Sequence, residues 1–154
     1  QVVFSFVQFS IEMTIVSIAL AIVGSPLYPF LPLTVVIMIT MTVFCTGIAL
    51  MLAVGAVYFR DLSYLWTIIN QVWFFATPVI YDPNRFKEQV SEPVFFVLHW
   101  HPPVVYLRAI RHTIYDGRFP GTADLVYCVV AAGLSLLLGL RVFRTFSARV
   151  AEEV

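Results

Sequence analysis

The chain has 154 residues, of which 60% are hydrophobic and only 12% charged, and its formal net charge is zero. Soluble domains carry about 25% charged residues, so too few are present to cover a water-facing surface, and a soluble globular enzyme is excluded. Disorder is excluded as well, because it needs low hydrophobicity and high net charge. The neutral balance gives no basic field for nucleic acid.

A spanning helix needs about 20 mostly apolar residues. The first such run is 2–23, interrupted by a single charge, Glu12. Nothing before it looks like a signal peptide: Gln1 is not Met, and no basic segment precedes the apolar run. The start is therefore expected to be a cut through a longer chain. Gly24-Ser25-Pro26 breaks the run, and Pro29 and Pro32 delay the next. The second run, 33–59, has no charged residue and ends at Arg60-Asp61. The third is 62–81, with Pro78 expected to kink or end it near Thr77.

Residues 82–122 are different in kind. They hold five basic residues, from Arg85 to Arg118, and all three histidines. Their one apolar piece, 94–98, is too short to cross a bilayer. They read as short interfacial or re-entrant helices, whose backbone needs protein or water around it. The fourth span is expected over 123–140, followed by an amphipathic tail, 141–154. Four spans put Arg60, Asp61 and the tail arginines on one side, mildly favouring that side as cytoplasmic. The expected fold class is therefore an all-α membrane protein with four spans and short external helices between the last two.

Glu12 is the ionisable residue well inside a predicted span, where a carboxylate costs about 2.5–3.5 kcal/mol on insertion scales. Ser5, Gln8 and Glu12 share one helix face; Ser10, Thr14 and Ser17 share the opposite one. The Glu12 face reads either as the lining of a pathway or as interhelical hydrogen bonding. In the third span Trp66, Asn70, Trp73, Thr77 and Tyr81 form a stripe of rings and polar groups. Sugars present a C–H-rich face that stacks on rings, and amides bond their hydroxyls. The stripe reads either as a guide for a carbohydrate chain or as core packing with interfacial aromatics. Ala131, Ser135 and Gly139 on the last span, and Ala49 and Ala53 with Gly47 and Gly55 on the second, are a packing signal, because small residues let backbones approach closely.

His99, His101 and His112 lack the further ligands a metal set needs. Cys45 and Cys128 lie in apolar runs and form no Cys-x-x-Cys pair. Arg108 and Arg111, three apart on one helix face, suit an anionic headgroup, a pyrophosphate or a neighbouring carboxylate. No Walker A loop, nucleophile elbow or His-Glu-x-x-His is present. If ATP drives this protein, another chain or another part of this one must bind it.

Several patterns then occur in order. Val57-Tyr58-Phe59-Arg60-Asp61-Leu62 closes one span and Ala76-Thr77-Pro78-Val79-Ile80-Tyr81 the next. His101-Pro102, Tyr106-Leu107-Arg108-Ala109-Ile110-Arg111 and Tyr115-Asp116-Gly117 follow, and Phe143-Arg144 comes after the last span. The set resembles the ABC-2-type permeases of polysaccharide and polyol-phosphate exporters, as in O-antigen, teichoic acid and galactan export. It differs in having Thr77-Pro78 where the family often has Ser-Pro, and His101-Pro102 where it usually has Asn-Pro.

The resemblance implies a six-span subunit of which this chain supplies spans three to six. It implies a homodimer around a channel in the bacterial cytoplasmic membrane, and a partner ATP-binding cassette subunit with a Walker A motif that holds ATP and Mg. The chain itself would be a transport subunit, not an enzyme, with no cofactor or metal of its own. The cargo would be a glycan on a lipid pyrophosphate. Arg60 and Asp61 would be cytoplasmic, and Arg108, Arg111 and Tyr115 would belong to the external gate. Three other readings stay open: an ABC-2 permease for a drug or small lipid, a proton-coupled secondary transporter using Glu12, and a membrane enzyme acting on lipid-linked sugars.

Overall fold

A computed structural model describes residues 2–22, 28–59, 61–76, 92, 96 and 99–150. Those residues are helical or in turns, with no strand among them. The elements are α1 (Val2–Ile22), a 3-10 turn (Tyr28–Phe30), α2 (Leu31–Tyr58), α3 (Leu62–Ala76), α4 (Pro102–Ile114) and α5 (Thr122–Val150). Three of them are long and apolar enough to cross a membrane: α1 over Val3–Leu20, α2 over Leu31–Tyr58 and α5 over Thr122–Phe146. The chain is a helical membrane protein.

Two boundaries differ from those the sequence suggests. The second span begins at Leu31 rather than at residue 33, and Pro32 sits in its first turn. Proline is tolerated there because the first N–H groups of a helix have no intrahelical partner. The last helix does not end at residue 140 but runs to Val150, through Arg141 and Arg144. Charge at those positions ends the apolar stretch without breaking the helix. The expected third span is helical over Leu62–Ala76, about 22 Å at 1.5 Å per residue. Its continuation, with Thr77 and Tyr81, lies outside the described residues, as does Arg60.

The bundle is organised by α2 and α5, which run parallel. Phe44 meets Ser135, whose Oγ donates to the Phe44 carbonyl at 2.8 Å. Farther along, the rings of Tyr58 and Phe146 meet at 5.9 Å between centroids. Between these points the backbones touch. A Cβ on Gly47 would fall on the backbone carbonyl of Ser135, and one on Gly139 would fall on the Gly47 carbonyl. The small-residue signal therefore marks a real contact, made by Gly47, Ser135 and Gly139. Ala53 faces outward instead. On α5 the buried side is Asp124, Cys128, Ala132, Ser135 and Gly139, a stripe of one helical face.

Near the start of both helices, α4 lies against them. Tyr106 is 1% exposed, and its hydroxyl donates to the Cys128 carbonyl at 2.7 Å, with the Thr40 carbonyl at 3.3 Å. One residue thus ties three helices together. α1 runs antiparallel to α2: Ser5 and Phe6 lie near Ile48 and Leu52, while Ser17 and Ile18 lie near Leu31 and Val35. α3 climbs back along the bundle, starting with Leu62 against Gly55 and bringing Trp73 to His101.

Gly47→Ala should therefore destabilise the protein by about 1–3 kcal/mol, the usual effect of overpacking. Gly133→Ala is the control, since its Cβ would meet nothing within 4 Å, and it should leave stability equal or slightly raised. Thermal unfolding in detergent reads both; equal melting temperatures for the two variants would contradict the contact.

Candidate functional site: an aromatic groove roofed by a pinned helix

The chemistry of α3 is divided lengthwise. At about 100° per residue, Leu65, Ile68, Ile69 and Val72 fall on one side. Trp66, Asn70 and Trp73 fall on the other, and the polar arc continues through Ser63 and Thr67 to Gln71. The apolar side suits lipid. Phe74 interrupts the polar arc, and the Thr67 hydroxyl is satisfied by the Ser63 carbonyl at 3.0 Å; the groups that suit lipid poorly are the amides, because an unsatisfied polar group costs several kcal/mol in hydrocarbon. Asn70 and Gln71 are exposed in the single chain, so this arc calls for water, protein or a ligand. The sequence stripe named only one edge of it; Ser63, Thr67 and Gln71 were legible from the same helical wheel.

Trp66, Asn70 and Trp73 line a groove of about 550 Å³. Its floor is the α2 face from Met41 to Leu52, its far wall is Ser5, Phe6 and Phe9 of α1, and Pro103 and Tyr106 of α4 close one end. The two indoles meet edge to face at 5.4 Å, and the imidazole of His101 stands against Trp73 at 5.1 Å. His101 Nδ1 is buried with no hydrogen-bond partner among the described residues, and burial lowers the pKa of this imidazole. The groove is thus lined mostly by rings and aliphatic side chains, with His101 behind Trp73, which suits a neutral, C–H-rich ligand better than an anion.

Glu12 lies one to two turns from Ser5 on the same face of α1, but the α1 residues on the groove are Ser5, Phe6 and Phe9. Glu12 is exposed and accepts a hydrogen bond from Gln8 Nε2 at 3.0 Å, within its own helix. The opposite hydroxyl face borders a second, apolar groove of about 390 Å³ with α2. There Ser10 and Thr14 donate back to the carbonyls of Phe6 and Ser10.

The roof helix α4 is held by charge. Arg108 Nε and Nη2 donate to the two carboxylate oxygens of Asp124, at 3.0 and 2.5 Å. This fork-to-fork geometry is the strong form of an ion pair, and Asp124 sits in the first turn of α5, where a carboxylate is favoured. Arg108 Nη1 lies 2.7 Å from His99 Nε2, and its guanidinium stands 6.0 Å from the Trp100 ring centre. Tyr127 donates to the Trp100 carbonyl at 2.6 Å. Of the partners open to Arg108, a neighbouring carboxylate is the one it has. Asp124 and His99 were missed in the sequence because their partner lies 16 and 9 residues away.

Arg111 and Tyr115 are exposed near the end of α4. There Gly117 takes a left-handed φ of 56°, and Arg118 N–H reaches the His112 carbonyl at 2.9 Å. Glycine adopts that conformation without a Cβ clash, which gives Tyr115-Asp116-Gly117 a structural reason. Asp61, at the opposite end of the bundle, is exposed and accepts from Leu65 N–H at 3.0 Å through its backbone. Among the described residues, no three His, Cys, Asp or Glu side chains gather in a metal-binding group.

Among known proteins, the chain is similar to the O-antigen export system permease protein RfbA of Myxococcus xanthus, with 27% identity over 123 residues. The match covers 80% of this chain and 45% of that protein, so the chain spans less than half the length of the relative. No protein-family profile matches the chain, and no solved structure does. The match bears out the resemblance, read from the motifs, to ABC-2-type permeases of polysaccharide exporters.

Asp124→Leu or Arg108→Met should each destabilise the chain by about 1.5–3 kcal/mol, the range for charged hydrogen bonds. Combining Arg108→Met with Asp124→Leu should recover most of the loss, since removing both charges leaves neither one unpaired. A double-mutant cycle on thermal unfolding measures this; strictly additive losses would contradict a direct pair.

Proposed function

We propose that this chain is part of the membrane-spanning permease of an ABC exporter. In this reading it moves a lipid-linked polysaccharide or polyol-phosphate across the bacterial cytoplasmic membrane. A separate ATPase subunit, holding ATP and Mg, drives the movement, and two permease copies enclose the path. The observation that carries the reading is the Trp66–Asn70–Trp73 wall of the groove, on a helix whose exposed Asn70 and Gln71 amides suit lipid poorly. The printed function of the M. xanthus relative, O-antigen export, supports the same direction.

Mechanistically, the aromatic wall offers sugar rings flat apolar contact while Asn70 and the hydroxyls bond sugar oxygens. Contact of this kind tolerates many glycan sequences, because every pyranose has a C–H-rich face. Thr77 and Tyr81 would extend the wall outward, and Glu12 would face the wet side of α1. Arg111 and Tyr115 would stand at the outer gate, where an exposed guanidinium suits a passing phosphate. Arg60 and Asp61 would lie in the cytoplasmic turn. Movement of the ATPase would shift the spans and open the groove end that α4 closes.

Aromatic contacts contribute about 0.5–1.5 kcal/mol each. Trp66→Ala combined with Trp73→Ala should therefore lower export roughly tenfold or more, with the protein still inserted and lipid-linked glycan accumulating inside the cell. Surface glycan and the internal lipid-linked pool, measured together, test this. Undiminished export by a well-expressed double variant would remove the groove from the path.

A further inference from the structure

We propose that the Arg108–Asp124–His99 cluster is an acid-sensitive latch that holds the segment entering α4, at the closed end of the groove, in place while His99 is neutral. The proposal needs no assignment of cargo, and it stands on three observations.

First, α4 carries two functions on two faces. Pro103 and Tyr106 close the groove, while Arg108 fastens the helix to α5 through Asp124. Tyr106 and the other buried side chains of α4 seat the body of the helix, so what the Arg108 cluster governs is the segment that enters it, His99 and Trp100, next to Pro103. Second, the segment leading into α4 is tied to the same guanidinium. His99 Nε2 lies 2.7 Å from Arg108 Nη1, and guanidinium is only ever a donor. The same Nη1 is 3.3 Å from His99 Nδ1, so the guanidinium stands against the imidazole ring itself, a contact that a positive charge on the ring opposes. Third, Trp100 neighbours the same contact, with the Arg108 guanidinium 6.0 Å from its ring centre and the tilted Tyr127 ring at 5.7 Å. The incoming segment, α4 and α5 thus meet at one point.

Protonating His99 places two cations in contact. The charged groups that bear on His99 are Arg108 of α4 and Asp124 of α5, and they act in opposite directions. Asp124 is already engaged twice by Arg108, so it offers the imidazolium little relief. Burial, then the guanidinium, lower the His99 pKa from the ordinary 6.5. The sign follows. A depressed histidine pKa in the latched state means that latching is fully favoured above about pH 6.5 and is weakened progressively as pH falls below it. The other histidines have other partners: His112 faces Asp116 at 2.8 Å, and His101 packs against Trp73.

The test is amide hydrogen exchange on the full-length protein with its partner subunit in lipid nanodiscs. It is run at about pH 7.5 and about pH 5, either side of the ordinary histidine pKa, and corrected for intrinsic rates. The amides to follow are Trp100, which donates to the Phe96 carbonyl, and Val104 and Val105, which donate to the His101 carbonyl. In the wild type their corrected exchange should be clearly faster at the lower pH. His99→Gln keeps an acceptor for Arg108 but cannot be charged, and its exchange should be the same at both values. Titration of the His99 ring by NMR gives a second readout, with a midpoint that coincides with the change in exchange. Wild-type exchange independent of pH, an equal acid response in His99→Gln, or a ring midpoint away from the transition would each overturn the latch.

Discussion

The contact on which the rest depends is the touching of two backbones at Gly47. In a bilayer, lipid tails are as apolar as leucine, so burying apolar surface does not draw helices together. Association rests on close packing and on hydrogen bonds between helices. Gly47 and Gly139 allow the first, and Ser135 supplies the second through the Phe44 carbonyl. Because α2 and α5 are parallel, their starts lie together at one end and Asp61 with the arginines of α5 lies toward the other. Tyr106 can then reach both helices at once, and α4 acquires a fixed seat.

The fixed pair has a consequence for α3. It enters beside Gly55 and rises along the bundle until Trp73 meets His101. A helix packed only lightly on its neighbours keeps two free sides, and its sequence gives them different chemistry. The aliphatic side is at home in lipid. The aromatic and amide side, with α1 opposite and α4 above, bounds the groove. Tightly and lightly packed parts are thus separated: α2, α5 and α4 share one core, in which Val105, Tyr106, Ala109 and Ile110 are buried, while α3 lies at its edge.

The sequence showed the class of protein plainly, because apolar length and absent charge leave a spanning helix few alternatives. The Gly47 and Ser135 contact was also visible as a class of residue, though not as a pair. Which small residues touch depends on helix rotation, and that is why Ala53 carries the same pattern and faces outward. The Trp66, Asn70 and Trp73 stripe was readable because one helix contains it. Asp124 and His99 were not, since Arg108 selects them across turns and helices that local spacing does not encode. The length of α5 was underestimated for a related reason: charge marks where lipid ends, not where a helix ends.

The proposal that this bundle is part of the permease of an ATP-driven exporter is tested most directly by what accompanies the protein in its own membrane. The full-length protein would be isolated from native membranes under mild solubilisation and its partners identified by mass spectrometry. The account predicts a soluble chain with a Walker A loop in stoichiometric amount. No such ATPase, at a yield where an equal partner is readily detected, would contradict it and leave the groove without an engine.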